Sequence, residues 1–241
     1  MSPARTVKIT KNGPYLVSAD IPLKKLQIEP FEPKHVMDYD TAPHVQNGFY
    51  ALCRCGKSKN APFCDGAHVK VHFDGTETAD KAPYIERVSV AEGEHLQVLD
   101  DDRCVFARFC HQKHGSVWDL LKEDDVKYKD EIIRGASLCP AGRLTAMDEN
   151  GTYEYTYVPQ ILVVEDPQEG VSAGLFVQGG ITVIGSDGEA YEVRNRVALC
   201  RCGNSENKPF CDSLHVSSKY RAEYPPTPKG ELRSGTDRAS I

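Results

Sequence analysis

The chain has 241 residues, 40% hydrophobic and 8% aromatic side chains, and a formal net charge of −6. This composition favours small modules with thin cores, in which metal centres often supply stability. The negative charge gives no reason to expect a nucleic-acid partner, and no stretch approaches the roughly 20 apolar residues that span a bilayer. Because the first residues contain no apolar signal segment, we expect a soluble cytoplasmic protein without a membrane partner, whose nine cysteines do not form disulfides.

Short β-like runs occupy both ends of the chain. Residues 14–28 contain such runs, broken at Pro22, and a second apolar run follows at 49–52. Near the other end, residues 174–184 are β-like around a Gly-Gly turn, and a short apolar run follows at 197–199. Both apolar runs lead into the sequence Ala-Leu-Cys-Arg-Cys-Gly. This common plan predicts an internal duplication with a segment inserted between its halves.

The inserted segment has a different pattern. A strand is predicted at 95–99, a short helix around 117–121 and a second helix around 132–136. Paired strands are predicted over 153–164. The last residues, 222–241, contain several prolines and almost no apolar side chains, so they are predicted to be a flexible tail.

The most informative pattern is a set of three cysteines and one histidine that occurs twice. Each set is Cys-Arg-Cys, then eight residues, a cysteine, three residues and a histidine. The sets are Cys53, Cys55, Cys64 and His68 in the first half, and Cys200, Cys202, Cys211 and His215 in the second. Thiolates and an imidazole at fixed spacing, present twice, indicate two metal centres.

The spacing suits two pairs of ligands in each set. Cys53 and Cys55 are two residues apart, so in a strand their thiols share a face. Cys64 and His68 are four apart, so on a helix they also share a face, and Asp65 is placed to cap that helix. Zinc accepts these ligand types, although its first two cysteines are usually separated by two to four residues rather than one. Iron–sulfur clusters also bind thiolates and imidazole, so the spacing leaves both metals open.

The pattern over residues 53–68 resembles the signature of the CDGSH iron–sulfur (NEET) proteins. It reads C-x-C-x2-Ser-x3-Pro-x-Cys-Asp-Gly-Ala-His, and the second copy matches except that Ser213 and Leu214 stand where Gly and a small residue are usual. The resemblance implies a [2Fe–2S] cluster in each copy, held by the eight ligands named above. It also implies that the two copies associate, here as a pseudo-dimer within one monomeric chain.

The remaining three cysteines lie in the inserted segment. Cys104 and Cys110 occupy the first and third positions of a C-x2-C-x2-C run with Ala107 between them, and Cys139 precedes a proline. This resembles single-cluster ferredoxins without the middle cysteine, and a divergent mono-cluster domain found beside CDGSH modules. It implies a [3Fe–4S] cluster, or a [4Fe–4S] cluster with a further ligand. Candidates for that ligand are His111 and His114. In the alternative interpretation the three cysteines are ordinary packing residues.

These patterns predict an α+β, β-rich fold in which two CDGSH β-modules flank a small ferredoxin-like α+β domain. The predicted boundaries are 1–85 for the N-terminal CDGSH domain, 86–167 for the ferredoxin-like domain, 168–221 for the C-terminal CDGSH domain, and 222–241 for the tail.

Electron transfer is the expected function, with cluster transfer or redox and pH sensing as alternatives. A zinc-stabilised interaction module is an alternative of another class. The expected partner is a redox protein or an apo-protein that accepts a cluster. Because no acid–base or nucleophile set is apparent, an enzyme is not expected. Arg54 and Arg201, which lie between ligands, either offset cluster charge or face solvent.

Overall fold

A computed structural model of the protein describes residues 5–29, 32–123 and 125–225. The strands are β1 (Thr6–Ile9), β2 (Tyr15–Ser18), β3 (Leu23–Glu29), β4 (Glu32–Asp38), β5 (Phe49–Leu52), β6 (Ser89–Glu92), β7 (Gln97–Asp100), β8 (Leu144–Asp148), β9 (Gly151–Tyr153), β10 (Gln160–Asp166), β11 (Val171–Gln178), β12 (Thr182–Ile184) and β13 (Arg196–Leu199). The helices are α1 (Ala67–Lys70), α2 (Tyr84–Arg87), α3 (Val117–Glu123), α4 (Lys129–Leu138) and α5 (Leu214–Ser217). The fold is α+β and β-rich, which confirms the predicted class.

Two of the three sheets combine strands from both ends of the chain. The first sheet has the order β12-β1-β2-β5, and the second has the order β13-β11-β10-β3-β4. β1 pairs in parallel with β12, with Thr6 opposite Thr182. β3 pairs in parallel with β10, with Leu23 opposite Ile161. The two halves of the duplication are therefore interleaved, and neither forms a sheet by itself.

The second sheet has an apolar layer on each face. Its strand β11 is buried along its whole length. Leu175 and Val177 pack into the core shared with the first sheet, whereas Phe176 packs on the opposite face against the inserted segment. Side chains alternate between the faces of a strand, so a strand covered on both faces is apolar throughout. This explains why the β11 sequence shows little polar alternation.

The inserted segment forms the third sheet, with the order β6-β7-β8-β9 and two helices packed against it. The helices predicted around 117–121 and 132–136 are α3 and α4, and α4 ends immediately before Cys139. Leu120 from α3 and Ala136 from α4 meet Val98 and Leu144 of the sheet in one apolar cluster. None of the described helices is long and apolar enough to cross a membrane.

The structure corrects three sequence-based boundaries. The paired strands predicted over 153–164 are wrong, because β9 and β10 belong to different sheets. β10 also does not belong to the inserted domain predicted at 86–167, since Ile161 fills the core between the first two sheets. At the predicted tail, the Ala222 amide donates to Ser172 Oγ, and the Glu223 carbonyl accepts from the Ala61 amide. Residues 226–241 of that tail lie outside the described residues.

Candidate metal centres

Each Cys-Arg-Cys sequence directly follows a strand, β5 in the first copy and β13 in the second. The Cys53 amide donates to the Pro62 carbonyl, and the Cys200 amide donates to the Pro209 carbonyl, each at 2.8 Å. The amide of the third cysteine returns to the same strand, because Cys64 donates to Ala51 O at 2.9 Å. Cys211 bonds to Ala198 O in the same way at 2.9 Å. In both copies, therefore, the segment between the first and third cysteines folds back onto the strand that precedes it.

The short helix after the third cysteine begins in the same way in both copies. Asp65 Oδ1 accepts the Ala67 amide at 3.0 Å, as the sequence suggested, but Gly66 rather than Asp65 occupies the N-cap position. Gly66 has a φ of 83°, in the left-handed region, and Ser213 takes the equivalent position with a φ of 69°. Serine adopts that conformation at an energetic cost that glycine avoids. The departure from the family motif therefore adds strain but does not remove α5.

The ligands lie as two close pairs in each copy. Cys53 Sγ and Cys55 Sγ are 3.8 Å apart, and Cys200 Sγ and Cys202 Sγ are 3.6 Å apart. The cysteine sulfur and the histidine Nδ1 are 3.4 Å apart in both other pairs, Cys64–His68 and Cys211–His215. Two sulfurs bound tetrahedrally to one metal at about 2.3 Å lie about 3.8 Å apart, and a sulfur–imidazole pair lies about 3.6 Å apart. Each pair therefore suits one tetrahedral metal.

No larger cluster of ligands is present in the described part of the chain. No group of three or more His, Cys, Asp or Glu side chains there could hold a single metal ion. A mononuclear zinc site would place three cysteines and the histidine around one ion. Two separate pairs instead fit two metals joined by ligands that the protein does not supply, as in a [2Fe–2S] cluster. The residues present therefore fit that cluster better than structural zinc.

The first pair of each copy favours a thiolate. A hydrogen bond from Cys55 lowers the pKa of the Cys53 thiol to about 6, and one from Cys202 lowers the pKa of Cys200 to about 7. The pKa of each partner thiol is raised, because the proton shared within the pair stays on it. Since thiolate is the metal-binding form, one cysteine of each pair is prepared for a metal.

The second copy is more deeply buried than the first. Cys64 and His68 are partly exposed, whereas Cys211 and His215 are each only 2% exposed. Burial, together with the positive charge of Arg201, lowers the pKa of His215 to about 4. The same fold thus places one histidine ligand near solvent and the other away from it.

The arginines between the ligands do not face solvent, so that sequence-based interpretation is wrong. Arg54 and Arg201 are each 2% exposed. Arg54 Nη2 donates to the Gly75 carbonyl, and Arg201 Nε donates to the Ala173 carbonyl at 2.6 Å. Arg201 also pairs with Glu165 at 2.6 Å. These guanidinium groups tie each ligand loop to neighbouring backbone.

The two ligand loops touch each other. A Cβ atom added to Gly56 would lie 2.3 Å from the carbonyl oxygen of Cys202, and one added to Gly203 would lie 2.6 Å from that of Cys55. Both glycines also have positive φ angles, so this reciprocal contact requires glycine. Tyr15 adds a further link, because its hydroxyl donates to the Cys200 carbonyl at 2.7 Å. The sequence repeats these glycines after each Cys-Arg-Cys but contains no signal for Tyr15.

The structure brings the three remaining cysteines together. Burial, together with the nearby Cys139 and Cys104, raises the pKa of Cys110 to about 11, so both of these cysteines lie within electrostatic range of Cys110. The Phe106 amide donates to Cys104 Sγ at 3.4 Å. Phe106 and the nearby Arg108 both have positive φ angles, in a loop of the kind that gathers amides around anions and Fe–S centres. Cys104 is exposed, which does not suit a packing residue.

Two further contacts define this middle site. Arg196 Nε donates to the Cys139 carbonyl at 2.7 Å, which fixes that cysteine to β13 across a sequence separation that no local motif reveals. His114, one candidate fourth ligand, has its Nδ1 2.7 Å from Glu131 Oε2. That contact occupies one ring nitrogen of the imidazole.

Comparisons with known proteins agree with the duplicated ligand geometry. Residues 12–69 and 173–216 both match the family described as iron-binding zinc finger, CDGSH type. CDGSH iron-sulfur domain-containing protein 1 from Rattus norvegicus and its counterpart from Mus musculus are each 47% identical to this chain over 45 residues. That match covers 19% of this chain and 40% of each relative. No solved structure matches the chain. The chain is therefore a tandem CDGSH protein, with two separate regions of the iron-binding CDGSH type.

Proposed function

We propose that this protein binds iron–sulfur clusters and transfers electrons, with a [2Fe–2S] cluster in each CDGSH region. The pairwise ligand geometry carries this proposal, because each pair suits one metal and no third ligand joins it. Cys53 and Cys55 would hold one iron of the first cluster, and Cys64 and His68 the other. The equivalent residues of the second copy would hold the second cluster. Such clusters supply one-electron chemistry when bound.

The middle cysteines extend the proposal to a third cluster, of the [3Fe–4S] or [4Fe–4S] type. Cys104 and Cys139 both lie within electrostatic range of Cys110, and the curled loop at 104–110 supplies an amide to the Cys104 sulfur. The inserted segment would then be a single-cluster domain of ferredoxin-like character. Its redox partner would be a small electron-transfer protein.

Metal and sulfide analysis of anaerobically purified protein tests the cluster assignment. The two CDGSH sites predict at least about four irons and four acid-labile sulfides per chain, and a visible absorption that bleaches on reduction. A Cys55→Ser/Cys202→Ser double variant should lose that iron. Colourless protein with stoichiometric zinc would instead support the zinc-stabilised interaction module.

Electron transfer is tested by mixing the reduced protein with an oxidised ferredoxin and following both spectra. Recovery of the oxidised spectrum, with unchanged iron content, supports electron transfer. Movement of iron and sulfide to an apo-ferredoxin would favour cluster transfer. Cluster transfer is the second candidate because Cys64 and His68 are partly exposed and thus open to an acceptor.

A further inference from the structure

The inserted segment covers one CDGSH site. Its loop at residues 104–110, here called the covering loop, packs Val105, Ala107 and Phe109 into the same apolar cluster as Cys211. Cys211 is a predicted ligand of the second cluster, and it is 2% exposed. The loop therefore shields the second ligand set as well as carrying two of the three middle cysteines.

An ion pair fixes the covering loop to the second sheet. Both terminal nitrogens of Arg108 donate to the carboxylate of Asp166, at 2.8 and 2.9 Å. Asp166 ends β10 and is 1% exposed. Arg108 also donates to the Phe106 carbonyl at 2.9 Å, inside the loop itself. Such a two-bond arrangement is geometrically specific, and leaving a buried carboxylate without its partner is costly.

Among the described residues, the first copy has no ion pair equivalent to Arg108–Asp166. Ile9 and Val163 occupy equivalent places in the two copies, because each lies opposite the residue that pairs with the strand before Cys-Arg-Cys. Beyond these residues the copies diverge: β1 ends at Ile9 and its turn carries Asn12, whereas β10 continues to Asp166. The Asn12 side chain accepts the Gly75 amide at 3.0 Å, and its neutral amide cannot form an ion pair. The first ligand set accordingly keeps Cys64 and His68 partly exposed.

We propose that the Arg108–Asp166 ion pair holds the covering loop closed over the second CDGSH site, so that this site retains its cluster and the first site is the exchangeable one. This inference rests on the proposed function, since it needs a cluster at both sites. It assigns Arg108 a positioning role, because Arg108 acts on the second site through the loop and not as a ligand.

Single-site proteins test the proposal. Cys211→Ser leaves the first CDGSH site and Cys64→Ser leaves the second, and visible circular dichroism follows loss of the [2Fe–2S] centre to excess EDTA. The first site should lose its cluster faster. Adding Arg108→Ala should accelerate cluster loss from the second site about tenfold or more. Without the ion pair, less free energy is needed to open the covering loop, so EDTA reaches the cluster more often. The same change should leave the rate at the first site unaltered.

Three further variants sharpen the outcome. Lys129→Ala removes another 2.8 Å ion pair of the inserted segment, to Asp148, and should alter neither rate. Arg108→Lys keeps the charge without the two-bond geometry and should give an intermediate rate. Asp166→Asn replaces Arg108→Ala if that variant does not fold. Equal rates at the two sites, or equal acceleration at both by Arg108→Ala, would overturn the proposal. Absence of iron and sulfide from both single-site proteins would instead overturn the proposed function.

Discussion

The two CDGSH sites share a backbone and differ in their surroundings. Both form the same hydrogen bonds from the first and third cysteines, and both present two ligand pairs at nearly equal distances. Yet His68 is partly exposed, whereas His215 is 2% exposed. The local motif therefore sets the ligand geometry, and the inserted segment sets the access of solvent to it. Duplicated sites in one chain can in this way acquire different lability without any change of ligand.

The largest effect is expected when a ligand is removed from one copy. Cys64→Ser should abolish or greatly weaken the first cluster and leave the second, so that about two irons per chain disappear. The two ligand pairs of each copy lie on that copy's own loop, which is why the other copy should survive. Iron analysis of the purified variant measures the effect. Loss of all iron would show that the interleaved sheets make the two sites one cooperative unit.

A change in the covering loop should alter the middle site while leaving both CDGSH sites intact. Ala107→Cys restores the C-x2-C-x2-C run and should convert a [3Fe–4S] centre into a [4Fe–4S] centre of lower potential, because a fourth thiolate adds negative charge. Ala107 is 4% exposed, so Ala107→Ser serves as a control of similar size that adds no thiolate. Electron paramagnetic resonance of the oxidised and reduced proteins distinguishes the centres. If neither native protein nor variant shows a third centre, the three cysteines are packing residues.

The two CDGSH sites should lose their clusters at different pH values. Histidine binds metal only when it is deprotonated, so protonation opposes binding. The pKa of His215 is lowered to about 4, which keeps its neutral form to lower pH. The second site should therefore keep its cluster to lower pH than the partly exposed first site. Absorbance of the single-site proteins at stepped pH measures both losses.

The histidines themselves provide the control for acid loss. His68→Cys and His215→Cys each remove a titrating ligand and should slow acid loss at the altered site alone. The prediction is wrong if the two sites bleach at the same pH, and histidine is not a ligand if its replacement leaves the acid sensitivity unchanged.

The smallest expected effect concerns the residue before each short helix. Ser213→Gly should stabilise the protein by about 1 kcal/mol, because a left-handed serine costs about 1–2 kcal/mol and glycine loses part of that gain through its greater freedom when unfolded. Gly66→Ser should destabilise by a similar amount. Denaturant unfolding measures both changes. If Ser213→Gly instead destabilises the protein, contacts of the Ser213 side chain, and not backbone strain, dominate at this position.

Sequence reasoning succeeded where the structure depends on local pattern. Cys53 and Cys55 form a close pair, although they lie in the turn after β5 and not within a strand as their spacing predicted. The apolar spacing in the inserted segment predicted α3 and α4. The recurrence of Gly56 as Gly203 has a physical reason that spacing alone did not reveal, since each glycine touches the backbone of the opposite ligand loop.

Sequence reasoning failed where distant strands decide the outcome. β10 pairs with β3 across more than a hundred residues, so its apolar run was assigned to the inserted segment. Arg108 and Asp166 are 58 positions apart, and the cysteine spacing around Arg108 does not indicate its partner. The sequence left Arg54 open between offsetting cluster charge and facing solvent, because charged residues are usually solvated and only the fold supplies the carbonyl partners of Arg54.

Mössbauer spectroscopy of protein enriched in iron-57 tests the central claim most directly. Pairwise ligation predicts two kinds of iron in equal amounts at the CDGSH sites, one bound by two cysteines and one bound by cysteine and histidine. Each oxidised [2Fe–2S] site should therefore contribute two quadrupole doublets of equal area, and His68→Cys/His215→Cys should merge them toward one. A single doublet from mononuclear iron, or protein that contains zinc and no iron, would contradict the account.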